Sequence, residues 1–244
     1  MAVHSDPFIA AHGRSRPRLP AWVVIVIVLC CVIEAALTLS DLVGSRITFM
    51  VSDQPGILSY FTRRQIGIPV RQVVNGLFGF WSAQVHAWQG LYPGQPAAMF
   101  LTYGFLHGGL LHLGMNMLSL VALARELNRL IGAWAMAIVY VVSQIAAAML
   151  FAVMTPDGGP MVGASGAIFG LAGALIGFAA VTGWRRRRPL GQLWRGVALM
   201  VVLNVALTVL MPSIAWEAHL GGTLAGLAMG GAMALRRKSR FSAF

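Results

Sequence analysis

Residues 163–182 read GASGAIFGLAGALIGFAAVT, an uncharged run punctuated by Gly166, Gly170, Gly173 and Gly177. A helix that crosses a bilayer needs about 20 mostly apolar residues, and this run supplies them. A second run, residues 218–235, reads AHLGGTLAGLAMGGAMAL and carries Gly222, Gly226 and Gly230. Small residues at every fourth position let two helix backbones approach closely in lipid. The pattern therefore predicts that these two helices touch. Contact between them brings Ser165, at the start of the first, towards His219, near the start of the second.

The rest of the chain extends the membrane reading. Of its 244 residues, 58% are hydrophobic and only 10% charged, against about 25% charged in a soluble domain. Six stretches are long and apolar enough to span: residues 21–39, 100–123, 134–153, 164–182, 195–211 and 214–235. The expected fold is an all-α polytopic bundle of six transmembrane helices. The first stretch exceeds an ordinary signal-peptide core and lacks a small-x-small cleavage site, so a retained helix is expected. Residues 1–20 and 237–244 read as basic tails flanking a membrane domain over 21–236.

The net charge of +11 would suggest nucleic acid in a soluble protein, but here the basic residues gather at the ends of apolar runs. Arg14, Arg16, Arg18, Arg125, Arg129, Arg185 to Arg188, Arg195, Arg236, Arg237, Lys238 and Arg240 all fall on one side of a six-span topology. The positive-inside rule makes that side cytoplasmic, with both termini on it. They are read as topology signals in contact with the lipid bilayer, with no nucleic-acid partner. Near-exclusive use of arginine over lysine points to a GC-rich bacterial genome, and the expected location is then a bacterial inner membrane. Ser165 and His219 each follow a short connection on the opposite side, so they are expected at similar depth. Residues 40–99 form one long extracytoplasmic connection. Its mix of apolar, aromatic and glycine residues suits interfacial or re-entrant helices. Cys30 and Cys31 are adjacent and imply no disulfide framework.

A serine and a histidine inside spans are costly to keep, and intramembrane ionisable groups mark function by default. Serine needs a base within hydrogen-bond reach to become a nucleophile, and histidine titrates near the working pH. The acids are badly placed to orient the imidazole: Glu217 falls on another face of the His219 helix, and Asp157 lies in a loop. A Ser–His dyad is therefore expected rather than a triad. Phe169, one turn after Ser165 on the same face, is placed to stack on His219. Acyl transfer also needs oxyanion donors. His112 and Asn116 share a helix face and can donate from side chains, and the Ser165 amide opens a helix. His107 reads as a structural hydrogen-bonding histidine and His86 as interfacial. Glu34 reads as either a buried structural acid or a proton-handling group. Ser143, Gln144 and Asn204 read as packing polar groups. Hydrolysis further requires a wet cavity above Ser165, with Gly158-Gly159-Pro160 at its rim.

These motifs, taken in order, resemble the rhomboid family of intramembrane serine proteases. His-x4-His-x3-Asn is met by His107, His112 and Asn116. Gly-x-Ser-Gly-x3-Gly is met by Gly163, Ser165, Gly166 and Gly170, and Ala-His-x2-Gly-x3-Gly by Ala218, His219, Gly222 and Gly226. Glu126, Tyr140 and Ser143 also fit, and the likeness covers about residues 100–230. The resemblance implies Ser165 as nucleophile, His219 as general base and acid, and His112, Asn116 and the Ser165 amide as oxyanion donors. It implies no metal and no cofactor. Substrates would be single-pass membrane proteins cut in or near their span, with the fifth helix gating their entry. The family commonly carries a Trp-Arg pair shortly before the second helix, where this chain reads Ala97-Ala98-Met99. The alternatives are a non-proteolytic rhomboid-like binder or chaperone of membrane proteins, and a transporter using Glu34, His112 and His219. Against the transporter, the sequence shows no inverted repeat of broken helices. A metal site is disfavoured because no His-Glu-x-x-His motif is present.

Overall fold

The computed structural model describes residues 19–51, 64–187, 191, 194–198, 201–202 and 215–236. Eight named α-helices and one antiparallel pair of strands run along the described residues. They are α1 (Ala21–Leu42), β1 (Arg46–Val51), β2 (Arg64–Pro69), α2 (Val70–Phe78), α3 (Ser82–Ala87), α4 (Gln95–Thr102), α5 (Leu110–Ile131), α6 (Ala133–Met154), α7 (Ser165–Arg185) and α8 (Trp216–Arg236). A single 3-10 turn, Tyr103–Phe105, lies between α4 and α5. Five of the helices (α1, α5, α6, α7 and α8) are long and apolar enough to cross a membrane. The span expected over 195–211 lies mostly outside the described residues, which are helical at 194–198 and 201–202. Asn204, residues 1–18 and residues 237–244 lie outside them as well.

Polar and apolar residues sort as a bilayer demands. Val24, Ile25, Val28 and Val32 of α1, Leu118 of α5 and Val153 of α6 face outward. Glu34, Asn116, Ser143, Gln144 and His219 are buried within the bundle. Intramembrane polar groups belong on such inward faces, where they find partners.

Helices α6, α7 and α8 pack against one another. A Cβ on Gly222, Gly226 or Gly230 would collide with the backbone carbonyl of Gly166, Gly170 or Ala174 respectively. On the other side, a Cβ on Gly170 would collide with Ser143 of α6. The glycine stripes thus set the spacing of α7 and α8, and that spacing fixes how far apart residues on their first turns stand.

Two expectations need correction. The second span begins at Leu110, not near residue 100, and runs to Ile131. Residues 100–102 instead finish α4, and the chain turns through Tyr103–Phe105 before α5. The break is local: Leu106 is extended and Gly109 takes φ +117°, a conformation that side chains other than hydrogen rarely adopt. Arg125 and Arg129 consequently lie on the last turns of α5 rather than beyond it, where Arg129 pairs with Glu126.

The long connection is also more structured than a set of interfacial helices. It opens with an antiparallel hairpin, β1 against β2, in register Arg46 to Pro69 and Phe49 to Ile66. Helices α2, α3 and α4 follow and dock on the bundle. Phe80, fully buried, exchanges two backbone hydrogen bonds of 2.9 Å with Met161. Its ring packs edge-on against Phe100, Tyr103 and Phe151. The Ser82 amide donates to the Gly158 carbonyl (2.9 Å), and the His86 ring bonds the Ala152 carbonyl at 2.9 Å. A carbonyl only accepts, so His86 holds its proton on Nε2 and ties α3 to α6.

Candidate active site

Ser165 is the first residue of α7, and Gly163 and Ala164 aim it. Gly163 has φ +126°, and its amide donates to the Tyr103 carbonyl (3.0 Å). Tyr103 is itself pinned, its hydroxyl donating to the Gln144 carbonyl at 2.8 Å. His219 lies on the first turn of α8, only 2% exposed. Its Nε2 is 2.9 Å from Ser165 Oγ. Phe169 lies flat against the imidazole, with ring centroids 4.2 Å apart and planes 7° from parallel. Four of the five described acids are engaged elsewhere: Glu34 and Asp41 with Arg71, Glu126 with Arg129, and Glu217 as acceptor of the Thr155 hydroxyl (3.3 Å); the fifth, Asp157, lies in the turn between α6 and α7.

His112 approaches from the first turn of α5. Its Nδ1 accepts from the Gly108 amide at 3.3 Å. Its opposite edge borders Gly163: a Cβ there would lie 2.9 Å from His112 Cε1, 3.0 Å from Nε2 and 3.7 Å from Ser165 Oγ. The imidazole and the serine hydroxyl therefore flank one glycine, close enough for one small group to touch both. Asn116 is buried one turn later, its Nδ2 donating to the His112 carbonyl (3.1 Å). That bond uses one of two amide protons. A cavity of about 170 Å³ lies over these groups, lined by Ser165, His112, Gly163 and Tyr103 and bounded by Pro160 and Met161. Ser165 is partly exposed in it. Pro160 stands where the expected rim was placed, while Gly158 and Gly159 pack behind it, against Phe151 and Trp81.

A serine hydroxyl bonded to an imidazole, beside a second imidazole and a helix N-terminus, is a set suited to acyl transfer. Among the described residues, no three His, Cys, Asp or Glu side chains converge as metal ligands do.

The sequence matches the family model of the Rhomboid domain over residues 94–236, more than half of the chain. The chain belongs to the rhomboid family. It is similar to RHOMBOID-like protein 5 of Arabidopsis thaliana, with 35% identity over 133 residues that cover 54% of this chain and 42% of the relative. It is 33% identical over 135 residues to Rhomboid-type serine protease 2 of Emericella nidulans, covering 54% and 26% of the two chains. With Rhomboid protease GluP of Bacillus subtilis it shares 28% identity over 141 residues, covering 58% and 27%. The matched region is less than half the length of each of these relatives. Family and helices together make this rhomboid an integral multi-pass membrane protein. The relatives come from a plant, a fungus and a bacterium, so the likeness carries the family and not a source.

Several residues behave otherwise than the sequence suggested. His107 is fully buried, its ring next to the Phe105 backbone and edge-on to His112 at 5.3 Å. Its backbone carbonyl accepts from Arg71 (3.0 Å). Glu34 resolves to a structural acid: both its oxygens accept from Arg71, and Thr38 donates to one of them. Gln144 donates to the Leu101 carbonyl, a packing role as expected, while Ser143 Oγ is buried without a partner. Where the family commonly has a Trp-Arg pair, Ala97, Ala98 and Met99 lie within α4. Beside them Gln95, overlooked in the sequence, does the anchoring. Its Nε2 donates to the Gly76 and Leu77 carbonyls, and its Oε1 accepts from the Leu91 amide. Only the preceding Gly94 turn hinted at a helix start there.

Proposed function

We propose that this rhomboid is an intramembrane serine endopeptidase that cleaves single-pass membrane proteins with a Ser165–His219 dyad. The observation that carries the reading is the 2.9 Å contact between Ser165 Oγ and His219 Nε2, with Ser165 lining a cavity roomy enough for water. His219 Nε2 takes the hydroxyl proton as Ser165 Oγ bonds to the carbonyl carbon of the scissile peptide. The carbonyl π pair moves to oxygen, and the resulting anion lies among the His112 Nε2–H, the Asn116 amide and the Ser165 backbone N–H. Free amides and the positive end of the α7 dipole favour negative charge at that point. Collapse breaks the C–N bond, with His219 returning its proton to the leaving amine. Water then attacks the acyl ester, losing a proton to His219, and Ser165 leaves as the restored hydroxyl.

Phe169 limits the imidazole to one plane. Burying His219 and keeping Ser165 partly exposed suits a reaction that needs water at one side only. In the topology that the arginine pattern supports, both termini are cytoplasmic and the cavity opens on the other face, with six spans in all. The test is cleavage of a single-span reporter by purified protein in proteoliposomes. Wild type cuts it and Ser165→Ala does not. Equal cleavage by both ends the proposal, and binding of the reporter without cleavage by either favours the non-proteolytic alternative.

A further inference from the structure

Arg71 is the second residue of α2, in the first loop, and every N–H of its guanidinium meets an acceptor. Nε donates to Asp41 (2.6 Å). Nη1 donates to Glu34 Oε2 and to the His107 carbonyl, both at 3.0 Å. Nη2 donates to Glu34 Oε1 (2.9 Å) and Thr38 Oγ1 (3.4 Å). Glu34 is fully buried on α1, so the fork is held from one side. Its remaining target is a backbone oxygen.

That oxygen belongs to the same peptide unit as the Gly108 N–H. The unit is trans, hence planar, with its C=O and N–H pointing opposite ways. Fixing the oxygen fixes the direction of the N–H, and the N–H meets Nδ1 of His112. A cation at the oxygen also makes the amide a stronger donor, because hydrogen bonds at the two ends of one group polarise each other. A neutral imidazole that accepts at Nδ1 carries its proton on Nε2. Nε2 lies on the edge that borders Gly163 and Ser165.

We propose that Arg71, braced by Glu34, is a positioning residue that sets the tautomer of His112 through the His107–Gly108 peptide, so that an N–H faces the reacting centre. The kinetic consequence rests on the reading of His112 as an oxyanion donor; the tautomer itself does not. A loop anchor alone would hold α2 to α1 and leave His112 unaffected.

The test uses full-length protein in lipid, labelled with nitrogen-15 in histidine, with His112 assigned by a His112→Gln variant. Arg71→Met combined with Glu34→Leu removes the fork without leaving a buried unpaired charge, a replacement that proteins commonly tolerate. Arg71→Lys keeps a cation beside Glu34 but loses the planar fork, and it decides the matter if the double variant does not fold. Asp41→Asn removes only the exposed arm. The expected wild-type spectrum has an unprotonated Nδ1 and a protonated Nε2 at His112. In the double variant or Arg71→Lys the two signals move towards each other as tautomers mix. In parallel kcat falls about threefold to tenfold, the worth of one neutral hydrogen bond, with KM unchanged. Asp41→Asn matches wild type in both readouts. Folded Arg71 variants with wild-type His112 nitrogen shifts overturn the proposal. An absence of Ser165-dependent cleavage in wild type defeats the protease reading instead, and the spectrum still decides the role of Arg71.

Discussion

Replacing Phe169 by leucine removes a flat surface while keeping an apolar side chain of similar bulk. The phenyl and imidazole rings lie 4.2 Å apart and 7° from parallel, so the phenyl covers one whole face of His219. Aromatic pairs are worth about 0.5–1.5 kcal/mol beyond the area they bury. If that energy holds the imidazole in the plane that reaches Ser165, its loss lowers kcat about twofold to tenfold, since about 1.4 kcal/mol is a factor of ten. Phe169→Tyr keeps the ring and is expected to keep the rate. The assay is the turnover of a fluorogenic single-span substrate in proteoliposomes, with kcat and KM separated and thermal unfolding measured on the same samples. The expected result is a lower kcat for Phe169→Leu alone, with KM and melting close to wild type. A wild-type kcat in Phe169→Leu would refute the claim that stacking positions the base.

Three further substitutions probe the scaffold. Gly226→Ala puts a methyl against the Gly170 carbonyl, so α7 and α8 must part; the expected cost is about 1–3 kcal/mol, read as a lower melting temperature in detergent. Gly163→Ala adds strain at φ +126° and a methyl 2.9 Å from the His112 ring. If it displaces that ring, kcat falls on the order of a hundredfold with helicity by circular dichroism unchanged, and a wild-type rate would contradict the placement of His112. Gln95→Ala leaves the Gly76 carbonyl and the Leu91 amide without their side-chain partner. The expected cost is about 1–3 kcal/mol, visible as faster proteolysis between α2 and α4, and unchanged proteolysis argues against an anchoring role.

The contact between α7 and α8 was legible because its cause is local and periodic. Glycines four apart in both runs announce a backbone approach, and Ser165, Phe169 and His219 occupy fixed offsets from those glycines. The start of α5 was not legible from hydropathy, because residues 100–123 are mostly apolar and a short helix, a turn and a long helix read as one run. Only the Gly108-Gly109 pair marked the break. The Glu34–Arg71 pair was hidden for another reason. Its members stand 37 residues apart on unlike elements, and nothing in either neighbourhood names the other. The pairing of β1 with β2 was missed because alternation in Arg46–Val51 is short and was outweighed by the apolar character of the whole loop.

Reaction with a fluorophosphonate probe reports on nucleophilicity without any substrate having to be known. Purified protein in lipid is treated with the probe, digested and mapped by mass spectrometry. The account predicts a single serine adduct on Ser165, formed slowly or not at all in His219→Ala. An adduct on another residue, or one on Ser165 that forms equally fast without His219, would contradict it.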